Sequence, residues 1–313
     1  MTGSPPSRGH LAALVLAAAA WGIGTVISKR AVAEVAPLTL IALQLAASVV
    51  ALGLLMRSRG IPLRGGQPVL LGRLGVLNPG IAYALSLVGL TTISASLSVL
   101  LWALEPILIL VLAVAFLRER VTLALVGASA VAAIGAALVV YEPGDGGQLI
   151  GAALTVAGVG CCAVYTIVTR RFIAASDATA PVVLAQQLHA LAFALASVLV
   201  VAVAGGGFGM GSLTGAGLAS AIASGLLYYA AAYWLYLSAL RQLPASIAAV
   251  SFYLIPLFGL AGASVLLGER LEPSQWLGGA LILIAVVTIL RPRPETSRIP
   301  PVGATPDGSA GST

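Results

Sequence analysis

The sequence predicts an all-α polytopic membrane protein, with ten transmembrane helices in two inverted five-helix repeats around a central cavity. Three observations carry this. Of 313 residues, 59% are hydrophobic and only 8% are charged, whereas a soluble domain carries about 25% charged residues. Apolar runs recur along the chain, most of them near the roughly 20 residues that cross a bilayer as a helix. The two halves also repeat each other at a fixed offset. The formal charge of +6 is spread over short loops and not gathered into a groove-binding patch, so no nucleic-acid partner is expected.

Residues 1–10 are polar and read as a disordered tail. The first span, Leu11–Ser28, follows Arg8 and contains the alanine run Ala17–Ala20, features shared with a signal peptide. Its continuation through Trp21 to Ile27, and its counterpart later in the chain, favour a retained span. Further spans read at Pro37–Met56, Val69–Leu90, Ser94–Leu117, Val121–Tyr141, Leu149–Val168, Pro181–Ala204, Leu218–Leu240, Ala245–Leu267 and Gln275–Leu290. The chain thus divides into a first repeat over 11–141, a linker over 142–148, a second repeat over 149–291 and a tail over 292–313. That tail is rich in Pro, Gly, Ser and Thr and reads as disordered.

Loop charges set the orientation. With the N-terminus cytoplasmic, inner loops hold Arg8, Arg57, Arg59, Arg64, Arg118, Arg120, Arg170, Arg171, Arg241, Arg291, Arg293 and Arg298. Outer loops hold only Lys29, Arg30 and Arg270. The bias predicts both termini inside. Lys29 is the one lysine among 16 basic residues, a usage associated with GC-rich bacteria, so the expected location is the bacterial inner membrane.

A shift of 150 residues places the fourth span on the ninth: Ala95-Ser96 on Ala245-Ser246, Pro106 on Pro256, and Glu119-Arg120 on Glu269-Arg270. The same shift places Ala82-Tyr83 on Ala232-Tyr233. A shift of 141 brings Thr25 and Ser28 onto Thr166 and Thr169, and the glycine-rich loop Gly205–Gly211 absorbs the nine-residue difference. Five spans per repeat is an odd number, so the second copy enters from the opposite side. Inverted repeats are the architecture of alternating access around a midplane site.

The stretch from Ser94 to Arg120 organises the rest. It is long and apolar, yet it carries Glu105 and Pro106 near its middle. A charge at that depth costs about 2.5–3.5 kcal/mol on the insertion scale and faces a bundle interior or a wet cavity. Pro106 removes a helical N–H and leaves the Trp102 carbonyl without its partner, which is tolerated only inside protein or beside water. Ser94, Ser98, Trp102 and Glu105 share one helix face, which reads as the wall of a substrate path.

The run ALEPILILVLAVAFLRER and its second copy, YLIPLFGLAGASVLLGER, resemble the EamA-type transporters of the drug/metabolite transporter superfamily. The resemblance covers about residues 11–291. It implies ten helices in two inverted units, transport of small metabolites, and a central cavity formed by helices 1, 3, 4, 6, 8 and 9 with helices 5 and 10 peripheral. This chain has Gln44 where many members carry an arginine after the proline of the second helix.

Each candidate residue has a functional and a structural reading. Glu105 binds a proton or the ammonium of an amino acid or amine, or it is a structural acid bonded to a neighbouring helix. Asn78-Pro79-Gly80 breaks the third span, and Tyr228-Tyr229-Ala230 aligns with it; broken helices point to transporter sites, but a simple kink is the alternative. Pro79, Pro106 and Pro256 are the expected kinks. Trp21, Thr25 and Ser28 form a stripe that suits a ligand or helix packing. Trp102, Tyr83, Tyr165, Tyr233 and Tyr253 could line a site for amines or rings through cation–π contacts, with Tyr229 beside them. His189 reads as a pH-sensitive gate or as a bonded histidine. Glu119-Arg120 reads as a gate ion pair or a local helix-end salt bridge. Gly127, Gly135, Gly278 and Gly279 suit close packing or homodimer contacts. The adjacent Cys161 and Cys162 read as small packing residues.

No catalytic constellation, metal spacing, P-loop or dinucleotide fingerprint is present in the sequence, so no enzyme activity and no cofactor are expected. The expected partners are a small-molecule substrate and membrane lipid. The expected function is secondary transport of amino acids or related small metabolites, as an exporter. The alternative is a broad-specificity drug or cation exporter.

Overall fold

The structure is a computed structural model that describes residues 8–32, 34–62, 71–90, 101–102, 104–140, 149–173, 179–211, 213–267 and 273–290. The described residues are helical apart from connections and one isolated bridge between Val35 and Met210. Helices dominate because each satisfies its own backbone within the segment, the requirement for crossing lipid.

In chain order, α1 is Arg8–Val32, α2 is Pro37–Ser58, and α3 joins a π-helical part, Val76–Ile81, to an α-helical part, Ala82–Leu90. Then come α4 (Glu105–Leu117), α5 (Leu123–Val140), α6 (Leu149–Ile173) and α7 (Thr179–Val201). The label α8 covers Gly215–Gly225, a π-helical part Leu226–Ala231, and Ala232–Leu240. The label α9 covers Ala245–Val250, a 3-10 turn Ser251–Tyr253, and Leu254–Leu267. Last is α10, Pro273–Leu290. Among the described residues, six helices are long and apolar enough to cross a membrane, and three shorter apolar ones accompany them. Large apolar side chains such as Val111, Leu199 and Val200 are exposed on the outside, as a lipid-facing surface requires.

One expectation is corrected. Helix α1 begins at Arg8, so residues 8–10 are not part of an unstructured tail. Leu101 and Trp102 are helical, Ala103 lies outside the described residues, and regular helix α4 begins at Glu105, which puts Pro106 in its first turn. Pro256 lies inside α9, just after the 3-10 turn Ser251–Tyr253.

The internal repeat is visible in the backbone. The π-helical parts Val76–Ile81 and Leu226–Ala231 are 150 residues apart (76 + 150 = 226, 81 + 150 = 231), and each leads into a nine-residue α-helical part. The first has the broken residue, Asn78, with non-helical φ −145° and ψ 119° before Pro79.

Packing is reciprocal between the halves. Helix α1 lies on α8 and α9, while α6 lies on α3 and α4; α2 lies on α7 and α8, while α7 meets α3; α5 pairs with α10. Glycines allow the two tightest approaches of a helix to another backbone. A Cβ at Gly75 would collide with the Gln186 backbone, and one at Gly225 would lie 2.5 Å from the Gln44 carbonyl oxygen. The two glutamines serve their crossings alike. Gln44 donates to Ser28 Oγ at 2.9 Å and Ser224 Oγ at 2.8 Å, joining α1, α2 and α8. Gln186 accepts from Tyr165 Oη at 2.8 Å and donates to the Leu71 carbonyl at 3.3 Å.

The glycine-rich loop after α7 turns on Gly205, Gly207 and Gly209, all at positive φ, which glycine adopts without steric cost. It lies against the α1–α2 connection: Ala36 N donates to Gly209 O at 2.7 Å and Thr39 Oγ1 to Phe208 O at 2.6 Å. Beside it, Glu34 accepts from Thr214 N at 2.7 Å, at the start of α8.

Candidate functional site

Three tyrosines of α8, Tyr229, Tyr233 and Tyr236, are buried. Their spacing of four and three puts them on one helix face. They meet rings from four other elements. Tyr233 lies 5.6 Å from Trp21 and 6.4 Å from Tyr165, and Tyr229 stacks on it at 6.2 Å. Trp21 also meets Tyr236 and Phe252, each at 5.5 Å. At the other end Tyr83 lies 5.7 Å from Tyr228, 6.1 Å from Tyr229 and 5.6 Å from Trp102. The rings form one continuous group drawn from α1, α3, α6, α8, α9 and the turn before α4. Most pairs are edge-on or tilted, the arrangement the aromatic quadrupole favours.

Glu105 opens α4 at the edge of this group. It is half-buried. Thr25 is exposed and donates to the Trp21 carbonyl at 2.9 Å. Tyr83, Trp102, Glu105 and Tyr228 are all half-buried.

The remaining candidates divide. Asn78 is buried and accepts from Tyr233 Oη at 2.9 Å, which fixes the broken part of α3 to α8. Tyr165 is held by Gln186 and is buried. Tyr253 is not part of the group; it packs in a separate apolar cluster with Leu125, Ala132 and Ile282, facing α5 and α10. Ser94 and Ser98 lie outside the described residues. His189 pairs with the carbonyl of Ala185 in its own helix, 2.7 Å away. Gly135 packs on Gly278 and Ile282 of the same chain, so that pair serves the α5–α10 contact.

Among the described residues Glu119 is in no ion pair; it caps a helix of the other half. Its carboxylate accepts from Ala245 N at 2.8 Å, Ser246 N at 3.1 Å and Ser246 Oγ at 2.5 Å, the first turn of α9. A carboxylate there meets both the unpaired N–H groups and the positive end of the helix dipole. Glu269-Arg270, its sequence counterpart, lies outside the described residues.

Sequence reasoning missed Tyr236 and Phe252, and it named Tyr228 only through its alignment with the third-span break. The spacing of Tyr229, Tyr233 and Tyr236 was the available signal. Phe252 gave none, because a single phenylalanine in an apolar span is unremarkable by composition. Cys162 was read as a packing residue, and it is buried on α6.

A lipid-facing exterior, a two-fold repeat and one acid among interior rings drawn from both halves define a membrane transporter. The sequence model of the EamA-like transporter family matches residues 8–141 and again residues 149–291. The chain belongs to the EamA-like transporter family. No curated protein matches it. A solved structure described as "Crystal structure of protein" superposes with a TM-score of 0.73, covering 88% of this chain and 94% of its own, at 18% sequence identity. At that identity the likeness concerns the fold alone.

Proposed function

We propose that this protein is a secondary transporter that moves amino acids or related small metabolites across the bacterial inner membrane by alternating access, and that it works as an exporter. In this reading ten helices cross the membrane, the two repeats are inverted, both termini are cytoplasmic, and the central cavity holds the substrate. The observation that carries it is Glu105, half-buried among rings contributed by both repeats. Glu105 receives the substrate ammonium, and Trp102, Tyr83 and Tyr228 offer ring faces to the same charge. Trp21, whose indole N–H is buried without a partner, backs the site with Tyr229, Tyr233 and Tyr165. The cap from Glu119 to α9 holds the inner ends of the two halves together, and the substrate passes inward or outward only when one end opens.

The test is counterflow of a radiolabelled amino-acid panel in proteoliposomes, with wild type and Glu105→Gln. Exchange by wild type and its loss in the variant supports the reading. Equal exchange, with equal pH dependence, removes Glu105 from the mechanism. A second reading, a broad-specificity cation exporter, is favoured by one observation: among the described residues, no arginine or lysine joins the ring group to receive a carboxylate. Tighter binding of simple amines than of their parent amino acids selects it.

A further inference from the structure

A cavity lies at the far end of α4, away from the ring group. It has a volume of about 410 Å³ and is lined by Phe116, Leu117, Glu119, Arg170, Arg171 and Pro244. Its walls are the end of α4, the end of α6 and the residue before α9. That volume exceeds ten times a water molecule's share of roughly 30 Å³ in the liquid, so it is roomy enough for a ligand group.

The charges in it do not cancel. Arg171 is exposed. Arg170 is half-buried, and its Nε is buried with no hydrogen-bond partner. A buried donor without an acceptor is costly, and native structures rarely keep one without a reason. Glu119 is the nearby acid, but its two oxygens already take three hydrogen bonds from Ala245 and Ser246. Its charge is spent on the first turn of α9. Two guanidinium groups remain, and guanidinium pairs in two-pronged fashion with carboxylate and phosphate oxygens.

We propose that this cavity is an oxyanion-binding subsite, in which Arg170 and Arg171 hold a carboxylate or a phosphate monoester or diester. The proposal does not depend on the identity of the transported substrate. The group has two sources, a soluble anion or the headgroup of an anionic lipid at the inner surface, where basic pockets between helices take such headgroups.

The experiment uses the full chain purified in a neutral detergent. Its thermal midpoint is titrated with inorganic phosphate, acetate, short-chain phosphatidylglycerol and short-chain phosphatidylcholine. Wild type is compared with Arg170→Gln, Arg171→Gln and the control Arg57→Gln at another helix end. Anions are expected to raise the midpoint of wild type and of Arg57→Gln. Half-saturation is expected at tenfold or higher concentration in the Arg170 and Arg171 variants. Stabilisation by phosphate or acetate assigns a soluble anion; stabilisation by phosphatidylglycerol alone assigns a lipid headgroup. The proposal is overturned if no anion stabilises wild type beyond phosphatidylcholine, or if Arg57→Gln weakens the response as much as the others. Arg171 is exposed, so its variant carries the test if Arg170→Gln does not fold.

Discussion

Glu119 and Ser246 are joined twice: one carboxylate oxygen accepts from the Ser246 backbone N–H at 3.1 Å and from its hydroxyl at 2.5 Å. With Ala245 N on the other oxygen, the side chain at the end of the first repeat's fourth helix becomes the cap of the second repeat's ninth-span segment. The contact therefore holds two halves together as well as finishing a helix. Glu119→Ala leaves three donors without their acceptor, and a loss of about 1–3 kcal/mol is expected from such orphaned groups. Thermal unfolding of the purified variant measures it. Glu119→Gln, which keeps one acceptor oxygen, should lose less.

A native thiol tests whether the same contact limits access to the interior. Cys162 is buried on α6, so alkylation requires reagent to enter the interior. In a Cys161→Ser background, Glu119→Ala should speed maleimide labelling of Cys162 at least several-fold. An unchanged rate would separate the cap from access to the site.

Glu105 is half-buried and opens a helix, so its loss should cost binding more than folding. Glu105→Gln is expected to weaken ligand binding at least tenfold, about 1.4 kcal/mol, with a small change in the unliganded midpoint. Ligand-dependent thermal shift reads both quantities in one titration.

Gly75 and Gly225 sit where backbones of opposite halves touch. Alanine at either position has no flexible neighbour to displace, only the Gln186 or Gln44 main chain. Expression in folded form should fall sharply for both variants. Gly53→Ala, with nothing within 4 Å of the added atom, should instead be neutral or stabilising by about 0.5–1 kcal/mol, the helix preference of alanine over glycine. Size-exclusion profiles of the three variants give the comparison.

Tyrosine hydroxyls make a matched pair of tests. Tyr165 and Tyr233 donate to Gln186 and Asn78, and replacing either by phenylalanine leaves a buried acceptor unmet, at about 1–3 kcal/mol. The Tyr253 hydroxyl is buried without a partner, so Tyr253→Phe should raise the midpoint or leave it unchanged.

Much of this was legible in the sequence for physical reasons. Apolar length and loop charge are one-dimensional properties, so the membrane class needed no coordinates. The 150-residue offset was readable because Pro106 with Pro256, and Glu119 with Glu269, are costly residues unlikely to coincide by chance. The backbone then bears the offset out in the paired π-helical parts. The acid at the edge of the rings was legible because a carboxylate in an apolar run is expensive. Other features were not legible because they depend on partners distant in sequence. Nothing in the residues around Glu119 says that its acceptors serve Ser246, 127 positions later. Tyr253 looked like Tyr233, since both are tyrosines in apolar spans; only the rotation of their helices sends one to the ring group and the other to the α5–α10 side.

The loop from Gly205 to Gly211 fastens the α1–α2 connection through Ala36 and Thr39, and just beyond it Glu34 accepts from Thr214. A rocking machine built from two identical inverted parts would rest with equal ease in either posture. In the alternating-access cycle proposed above, a brace at this rim gives the two postures different free energies. Trimming the loop should shift which face of the membrane the idle protein greets, before any cargo arrives.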